Sequence, residues 1–282
     1  MAKQNKTNSP HHRSLRWVVI SILFLTGTLL FRSVAFSQQI PTPIQQHKPS
    51  QKPKKIIQFK PQIKPVSPAP QTEFFPPTQF QGKIIYQREI NPQKKVIALT
   101  FDDGPWTDTP QVLKILKQNN IKATFFLVGK HLQMYPEIAK NIVEAGHAIG
   151  NHTWSHRTEN SDSATAAKEI DNTSASIYKT TGAKTKLFRP PAGNLNNGLS
   201  DYAKNKNYAI ILWSVDTEDW RATSSLESIV NQVLKQSTPG GIILLHDGGG
   251  NRSKTIQALP IILAELKKRN YQFVTIPELL KL

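Results

Sequence analysis

From residue 81 onward, short apolar runs alternate with longer stretches in which apolar side chains recur every three or four residues. The short runs predict buried strands over residues 96–100, 123–128, 147–150, 187–188, 208–214, 241–245 and 272–274. The longer stretches predict helices over residues 109–119, 133–145, 163–181, 224–235 and 254–269, the fourth with Ser224 as its N-cap. Apolar strands separated by helices favour a parallel sheet with crossover connections. The chain is therefore predicted to be an α/β protein with a (β/α) barrel, complete or incomplete, of about seven strands.

The start of the chain has a different pattern. An uncharged apolar run of 15 residues, 17–31, follows a segment with four basic residues and no acid. This arrangement predicts an N-terminal signal or anchor segment, residues 1–37, that leaves the rest of the chain outside the cytoplasm. Two alternatives stay open, because extension past Arg32 to Phe36 gives a membrane span, whereas small residues at Ala35 and Ser37 suit signal cleavage. The flanking charges disfavour a buried helix of a soluble protein.

The stretch between these two regions is rich in proline. Residues 38–80 hold ten of the 20 prolines of the chain, together with nine glutamines and six lysines. Such a composition buries too little apolar surface to fold, so it predicts a disordered, extended linker. The predicted globular domain then covers residues 81–282.

The net charge of +17 lies mostly ahead of this domain. Residues 1–80 carry 11 Lys or Arg against one acid, Glu73, which leaves 25 basic and 18 acidic residues in 81–282, a difference of +7. Because the basic linker has no interleaved aromatic pairs and the export segment separates it from DNA, a nucleic-acid partner is disfavoured. The membrane, through residues 1–37, is a predicted partner, and no obligate protein partner is evident. Since cysteine is absent, disulfides, a thiol nucleophile and Cys-ligated metal are excluded.

Polar residues follow the predicted strands. The first strand ends in the adjacent acids Asp102 and Asp103, and Gly-Pro comes next, so both acids are expected in a loop. Adjacent side chains at a strand end point in opposite directions, which predicts two different roles. An acidic turn that caps the following helix is the simpler alternative. Later strands are followed by His152, His156, Arg189, Asp216, Asp219, His246 and Asp247. Because the carboxyl ends of parallel strands share one face, these loops are predicted to converge.

Two histidines four residues apart form a candidate metal site. His152 and His156 are expected on one side of a helical turn, close enough to share a cation, with Asp103 as a third ligand. Three protein ligands leave positions open for water and substrate, as in a catalytic metal site. Surface or core histidines are the simpler interpretation of such a pair on its own.

The remaining groups supply proton transfer. Asp102 is a free carboxylate that could take a proton from water, and Arg189 could orient it by a charge-assisted contact. His246 is suited to give a proton to a leaving group, and Asp219 could raise the pKa of His246 by pairing with it. Two protonatable groups on opposite sides of a metal indicate a hydrolytic reaction. A leaving group that needs a proton suits an amide nitrogen better than a phosphate.

The motifs that carry these residues resemble those of the polysaccharide deacetylase family, the NodB-homology proteins of carbohydrate esterase family 4. They are Thr100-Phe101-Asp102-Asp103-Gly104-Pro105, His152-Thr153-x-x-His156, Arg189-Pro190-Pro191, Asp216-x-x-Asp219-Trp220 and Leu244-Leu245-His246-Asp247. The resemblance spans about residues 94–280 and implies a distorted barrel and a divalent ion, Zn²⁺ or else Co²⁺, Mn²⁺ or Ni²⁺. It also implies removal of N-acetyl groups from N-acetylglucosamine-type residues of peptidoglycan or chitin-like polymers, with release of acetate.

By the same resemblance, each motif residue has an expected role. Asp102 resembles the catalytic base, Arg189 the residue that tethers it, and His246 the general acid tuned by Asp219. Asp103, His152 and His156 resemble the metal ligands. Pro191, Ala192, Trp220 and Leu244 resemble the substrate pocket, although Ala192 stands where many relatives carry an aromatic residue. The backbone N–H at position 192 survives that change and can still hold an oxyanion.

A wall-polysaccharide-binding protein on the same fold, with little catalytic activity, is the alternative. It is disfavoured because a binding module has no need of both Asp102 and His246.

Overall fold

The structure is a computed structural model, and it describes residues 72–282. The predicted signal or anchor segment and residues 38–71 of the predicted linker lie outside the described residues. The strands are β1 Glu73–Phe74, β2 Ile84–Ile85, β3 Val96–Gly104, β4 Thr124–Leu127, β5 Ala148–Asn151, β6 Lys184–Thr185, β7 Leu187–Phe188, β8 Ala209–Ile211, β9 Val215–Asp216, β10 Ile242–His246 and β11 Gln272–Val274. The α-helices are α1 Thr109–Gln118, α2 Gly129–Met134, α3 Pro136–Glu144, α4 Ser163–Thr181, α5 Leu199–Asn205, α6 Leu226–Gln236, α7 Ser253–Lys268 and α8 Ile276–Leu279.

Nine strands form one parallel sheet. Its order is β2-β8-β7-β5-β4-β3-β10-β9, and β11 pairs with the first residues of β3. Among the described residues, the end strands β2 and β9 are not neighbours, so the sheet curls without closing into a barrel. The predicted α/β fold with a distorted barrel is therefore confirmed. The sheet has nine strands where about seven were predicted, because β2 and β9 have two residues each and leave almost no hydrophobic pattern.

The core has two layers, one on each face of β3. Ile97, Leu99 and Phe101 pack against the helical layer, whereas Val96 and Ala98 pack inside the curl. This alternation follows from the two-residue period of a strand. It also sets the direction of Asp102, whose position continues the series that faces the inside of the curl.

Four local predictions were wrong. The predicted helix over 133–145 is two helices, α2 and α3, because Pro136 starts a new helix. The predicted strand over 208–214 is only β8, and β9 follows it after a break. The N-cap of α6 is Ser225 and not Ser224, since the Ser225 hydroxyl accepts from the Ser228 N–H. Strand β3 does not stop at residue 100 but continues through both acids to Gly104.

The segment just before the predicted domain is also ordered. Strand β1 pairs with β6, and Phe74 packs against the core. A turn of 3₁₀ helix follows at Thr78–Phe80. Residues 73–80, which fall inside the predicted linker, therefore form a strand and a 3₁₀ turn, and Phe74 and Phe80 pack against the core. Within residues 72–282, no helix is both long and apolar enough to cross a membrane.

Candidate active site

The two acids at the end of β3 both reach the same cavity. The register of β3 with β4 shifts between Asp102 and Gly104, and Asp103 has a φ of 71°. This left-handed conformation turns the Asp103 side chain away from the direction that strand alternation would give it. The expectation that both acids lie in a loop and point in opposite directions was wrong. The bulge instead places two carboxylates side by side, and each has its own partners.

The two histidines are brought together by a loop. The helical turn that their spacing predicts is not formed. Residues 152–156 contain no helix, and both Thr153 and His156 have positive φ values, 68° and 57°. The centroids of the His152 and His156 rings lie 5.1 Å apart. The proximity that the sequence predicts is present, but its backbone geometry is different.

Asp103, His152 and His156 form a cluster suited to a metal ion. One ligand atom from each lies within 4.8 Å of the others. The Asp103 Oδ1 is 3.5 Å from the His152 Nε2 and 3.3 Å from the His156 Nε2. That Oδ1 is buried and has no hydrogen-bond partner among the described residues. An orphaned carboxylate oxygen facing two imidazole nitrogens fits a divalent cation, and the mixed N and O ligands fit zinc.

The environment of His152 fixes its ligand atom. Its Nδ1 donates to the Arg189 carbonyl at 2.7 Å, so Nε2 is left for the cluster. Burial lowers the pKa of His152 to about 3, which keeps the imidazole neutral. A neutral ring is the form that binds a metal.

A fully buried arginine holds the first acid. Arg189 Nη1 donates to the Asp102 Oδ1 at 2.7 Å and to the Thr100 hydroxyl at 2.9 Å. Nε and Nη2 donate to the carbonyls of Ile211 and Leu212. The second carboxylate oxygen of Asp102 stays on the cavity side, 3.7 Å from the His152 Nε2. Burial lowers the pKa of Arg189, and the Asp102 charge opposes that shift.

His246, at the end of β10, is paired with a buried carboxylate, whereas Asp102 is paired with a buried cation. His246 Nδ1 donates to the Asp219 Oδ1 at 2.7 Å, and Asp219 Oδ2 accepts from the His246 backbone N–H and the Thr255 hydroxyl. Burial alone would lower the pKa of His246, but the Asp219 charge and hydrogen bond raise it to about 9. The same pair lowers the pKa of Asp219 despite burial. In register, His246 is the partner of Asp102 across β10 and β3.

These groups line one cavity of about 300 Å³. Its walls are Asp102, Asp103, His152, His156, Ala192, Trp213, Asp216, Trp220, Leu244 and His246. Three of the four predicted pocket residues, Ala192, Trp220 and Leu244, are among them. The fourth, Pro191, is buried and does not line the cavity. Arg189 and Asp219 lie behind the wall and act through Asp102 and His246.

Trp213 is a further wall residue, which the sequence pattern did not indicate. It lies two residues after the end of β8, at the sheet edge where the other site residues lie. The same rule that selected Asp102 and His246 could have found it. It was missed because the predicted strand over 208–214 placed Trp213 inside a strand.

The fold and these side chains define an α/β protein with a candidate hydrolytic centre at the carboxyl edge of its sheet. Residues 89–211 match the family model described as polysaccharide deacetylase. A peptidoglycan N-acetylglucosamine deacetylase from Bacillus cereus is 43% identical over 196 residues, covering 68% of this chain and 92% of that protein. A peptidoglycan N-acetylmuramic acid deacetylase from Bacillus subtilis is 37% identical over 195 residues, 68% of this chain and 40% of that protein. The chain belongs to the polysaccharide deacetylase family.

Solved structures agree with this assignment. The crystal structure of a peptidoglycan N-acetylglucosamine deacetylase has a TM-score of 0.66 and 37% identity, covering 71% of this chain and 94% of that one. A family 4 acetyl xylan esterase from Clostridium thermocellum, in complex with a cobalt ion, has a TM-score of 0.61 and 37% identity, with coverage of 66% and 91%. A family 4 pseudoenzyme from Bacillus anthracis has a TM-score of 0.64 and 31% identity, with coverage of 71% and 69%. The predicted family resemblance is confirmed.

Proposed function

We propose that this protein is a metal-dependent hydrolase that removes N-acetyl groups from N-acetylglucosamine-type residues of peptidoglycan or a chitin-like polymer. The observation that carries the proposal is the pairing of Asp102 with His246 across adjacent strands, beside the Asp103, His152 and His156 cluster. A carboxylate and a protonated imidazole in one cavity supply both proton transfers of amide hydrolysis.

We further propose that Asp103, His152 and His156 hold Zn²⁺, with Co²⁺, Mn²⁺ or Ni²⁺ as alternatives. When bound, such an ion supplies Lewis acidity that polarises the acetamide carbonyl and makes water easier to deprotonate. The cobalt ion in the acetyl xylan esterase structure supports a divalent cation in this family. The orphaned Asp103 Oδ1 supports the same interpretation from this chain alone.

The residues around the cluster have distinct roles in the proposed reaction. Asp102, oriented by Arg189, takes the proton of the attacking water. His246 donates its proton to the amide nitrogen as the carbon–nitrogen bond breaks, so acetate and a free amine are formed. Trp220 and Leu244 enclose the acetyl methyl, and the Ala192 backbone N–H stabilises the oxyanion.

The proposed site of action is outside the cytoplasm. The basic flank and the apolar run at residues 17–31 support export, either with a retained membrane anchor or after cleavage. Fractionation of producing cells, with detection of the chain in membrane, wall and medium, tests this localisation.

A polysaccharide-binding protein with little activity is the second candidate. Its support is the similarity to a structure described as a pseudoenzyme. Against it, the predicted base, acid and metal ligands of this chain are all present and face one cavity.

An acetate-release assay separates the two candidates. The purified chain is incubated with peptidoglycan, N-acetylglucosamine oligomers from chitin and acetylated xylan, with and without chelator, and the ion content is measured in parallel. We expect chelator-sensitive acetate release from peptidoglycan or the chitin oligomers. Binding to a polymer without acetate release, while the ion is held, would favour the binding protein.

A further inference from the structure

The loop that carries both histidines contacts one buried acid on the helix that follows it, Glu169 of α4. Residues 152–156 contain no helix or strand, and the positive φ values at Thr153 and His156 are strained for non-glycine residues. Such a conformation persists only when its surroundings fix it. The contacts that fix the middle of the loop are therefore contacts that place the metal ligands.

Glu169, in the first half of α4, supplies these contacts on one side. Its Oε2 accepts from the backbone N–H of Trp154 at 2.9 Å and from that of Ser155 at 2.8 Å. Its Oε1 accepts from the Ser155 hydroxyl at 2.7 Å. Glu169 is only 8% exposed. A buried carboxylate whose described partners all lie between two metal-ligand candidates does not act as a solvated helix residue.

Helix α2 holds the same peptide groups from the other side. The N–H groups of Gly129 and Lys130 donate to the carbonyls of Thr153 and Trp154, both at 2.9 Å. The Trp154 ring packs so closely on Gly129 that a Cβ there would lie 2.3 Å from it. The peptide carbonyls thus bond to α2, while the peptide N–H groups bond to Glu169. Of these partners, only Glu169 acts through a side chain that can be changed without altering the backbone.

We infer that Glu169 is a positioning residue that sets the affinity of the candidate metal site by fixing the loop between His152 and His156. The inference rests on the proposed metal centre. His152 has a second anchor, the Arg189 carbonyl, whereas the His156 side chain is 40% exposed. Without Glu169, the strained residues relax and the His156 ring is the ligand that moves out of place.

Metal affinity of the purified full chain tests this inference. Zn²⁺ binding is measured by competition with a chromophoric chelator for the wild type, Glu169→Ala, Glu169→Gln and Asp171→Ala. We expect Glu169→Ala to weaken Zn²⁺ affinity by about 10-fold to 100-fold, as is typical for residues that orient metal ligands. Glutamine keeps an acceptor oxygen for the two N–H groups, so Glu169→Gln should stay within about threefold of the wild type.

Asp171→Ala is the matched control. It removes a carboxylate from the same helix, two residues further on, that contacts Tyr202 and Lys206 and not the loop. Its Zn²⁺ affinity should equal that of the wild type. The absorption spectrum of bound Co²⁺ adds a second readout, because a displaced ligand changes the spectrum whereas a general loss of stability does not.

Each outcome has a definite meaning. If Glu169→Ala binds Zn²⁺ as tightly as the wild type and gives the same Co²⁺ spectrum, the inference is wrong. If Glu169→Ala does not fold, Ser155→Ala decides, because it removes one hydrogen bond to Glu169 and should weaken Zn²⁺ binding by about fivefold. Unchanged affinity in Ser155→Ala would then overturn the inference. A wild type that holds no ion would instead remove the proposed metal centre itself, and His152→Ala, expected to lose the ion, shows that the assay detects such a loss.

Discussion

Two buried ion pairs border the cavity, and they are built the opposite way round. In the pair on β3, the cation Arg189 is fully buried, and the carboxylate of Asp102 lines the cavity. In the pair on β10, the carboxylate of Asp219 is fully buried, and the imidazole of His246 lines the cavity, with 12% of its side chain exposed. Both pairs close at 2.7 Å. The member that faces the cavity is therefore negative in one pair and positive in the other.

This difference explains how one cavity can hold both a proton acceptor and a proton donor. Arg189 carries a permanent charge and balances Asp102 without competing for the proton that it is to receive. Asp219 raises the pKa of His246 to about 9, so the imidazole carries its proton at neutral pH. Two ion pairs of the same length thus prepare opposite chemistry, because the buried partner decides which charge is presented to the substrate.

The largest effect should come from removing the acceptor. Asp102→Asn keeps the shape of the side chain but cannot take a proton, so kcat/KM for acetate release should fall by about 10²-fold to 10⁴-fold. Zn²⁺ should still bind, because all three candidate ligands remain. Asp201→Asn, an exposed acid paired with Lys204, is the control and should keep full activity. Unchanged turnover in Asp102→Asn would remove Asp102 from the mechanism.

Removing the buried cation of the Arg189–Asp102 pair should chiefly lower the stability of the fold. Arg189→Met leaves the Asp102 charge buried without its cation, which should lower the free energy of unfolding by about 3–5 kcal/mol in a urea titration. Arg221→Met removes an exposed arginine paired with Glu218 and should cost less than about 1 kcal/mol. Equal costs in the two variants would show that Arg189 is not the structural half of its pair.

The sequence was sufficient to predict both ion pairs, but not the backbone geometry around the cavity. Apolar runs located most of the sheet, and the rule that parallel strands share one carboxyl edge brought Asp102, Arg189 and His246 together. The bulge at Asp103 could not be predicted, because only a small fraction of aspartates adopt a left-handed backbone and the residue type alone does not mark which ones do. The same holds for the loop of His152 and His156, where regular helical spacing suggested a turn that the backbone does not form.

The contacts that support the site were also hidden in the sequence. Glu169 lies in a long helix whose pattern of polar residues is typical of a solvated face, and nothing local marks it as buried. Its partners, Trp154 and Ser155, are 15 and 14 residues away. Such contacts depend on how a helix packs over a loop, which sequence periodicity does not specify.

Weakening the second pair should shift the pH dependence of activity. Asp219→Asn removes the charge that raises the pKa of His246, so His246 loses its proton at lower pH. The alkaline limb of the kcat profile should therefore move towards lower pH by at least one pH unit relative to the wild type, and kcat at neutral pH should fall by about tenfold. An alkaline limb at the same pH in both proteins would contradict the role of Asp219.

The same pair predicts a change in stability with pH. Because the folded pKa of His246 lies above the unfolded value of 6.5, its contribution is fully present below pH 6.5 and is lost as pH rises through about 9. The free energy of unfolding of the chelator-treated wild type should thus decline over this range more steeply than that of His246→Gln. Parallel curves for the two proteins would show that the ion pair does not stabilise the fold.

The smallest effect should come from a residue that touches only the buried half of the second pair. Thr255→Val removes the hydroxyl that donates to the Asp219 Oδ2 at 2.8 Å, while Asp219 keeps its charge and both contacts to His246. We expect a loss of about 1 kcal/mol in the free energy of unfolding and an alkaline limb close to that of the wild type. Thr181→Val removes a hydroxyl at the far end of α4 that contacts the Ile177 carbonyl and the Ala183 N–H, and it controls for the loss of a threonine hydroxyl away from the cavity. If Thr255→Val moved the alkaline limb as far as Asp219→Asn does, the orientation of the Asp219 carboxylate, and not its charge, would set the proton affinity of His246. The comparison with the Arg189 pair, which rests on the charge of the buried partner, would then be wrong.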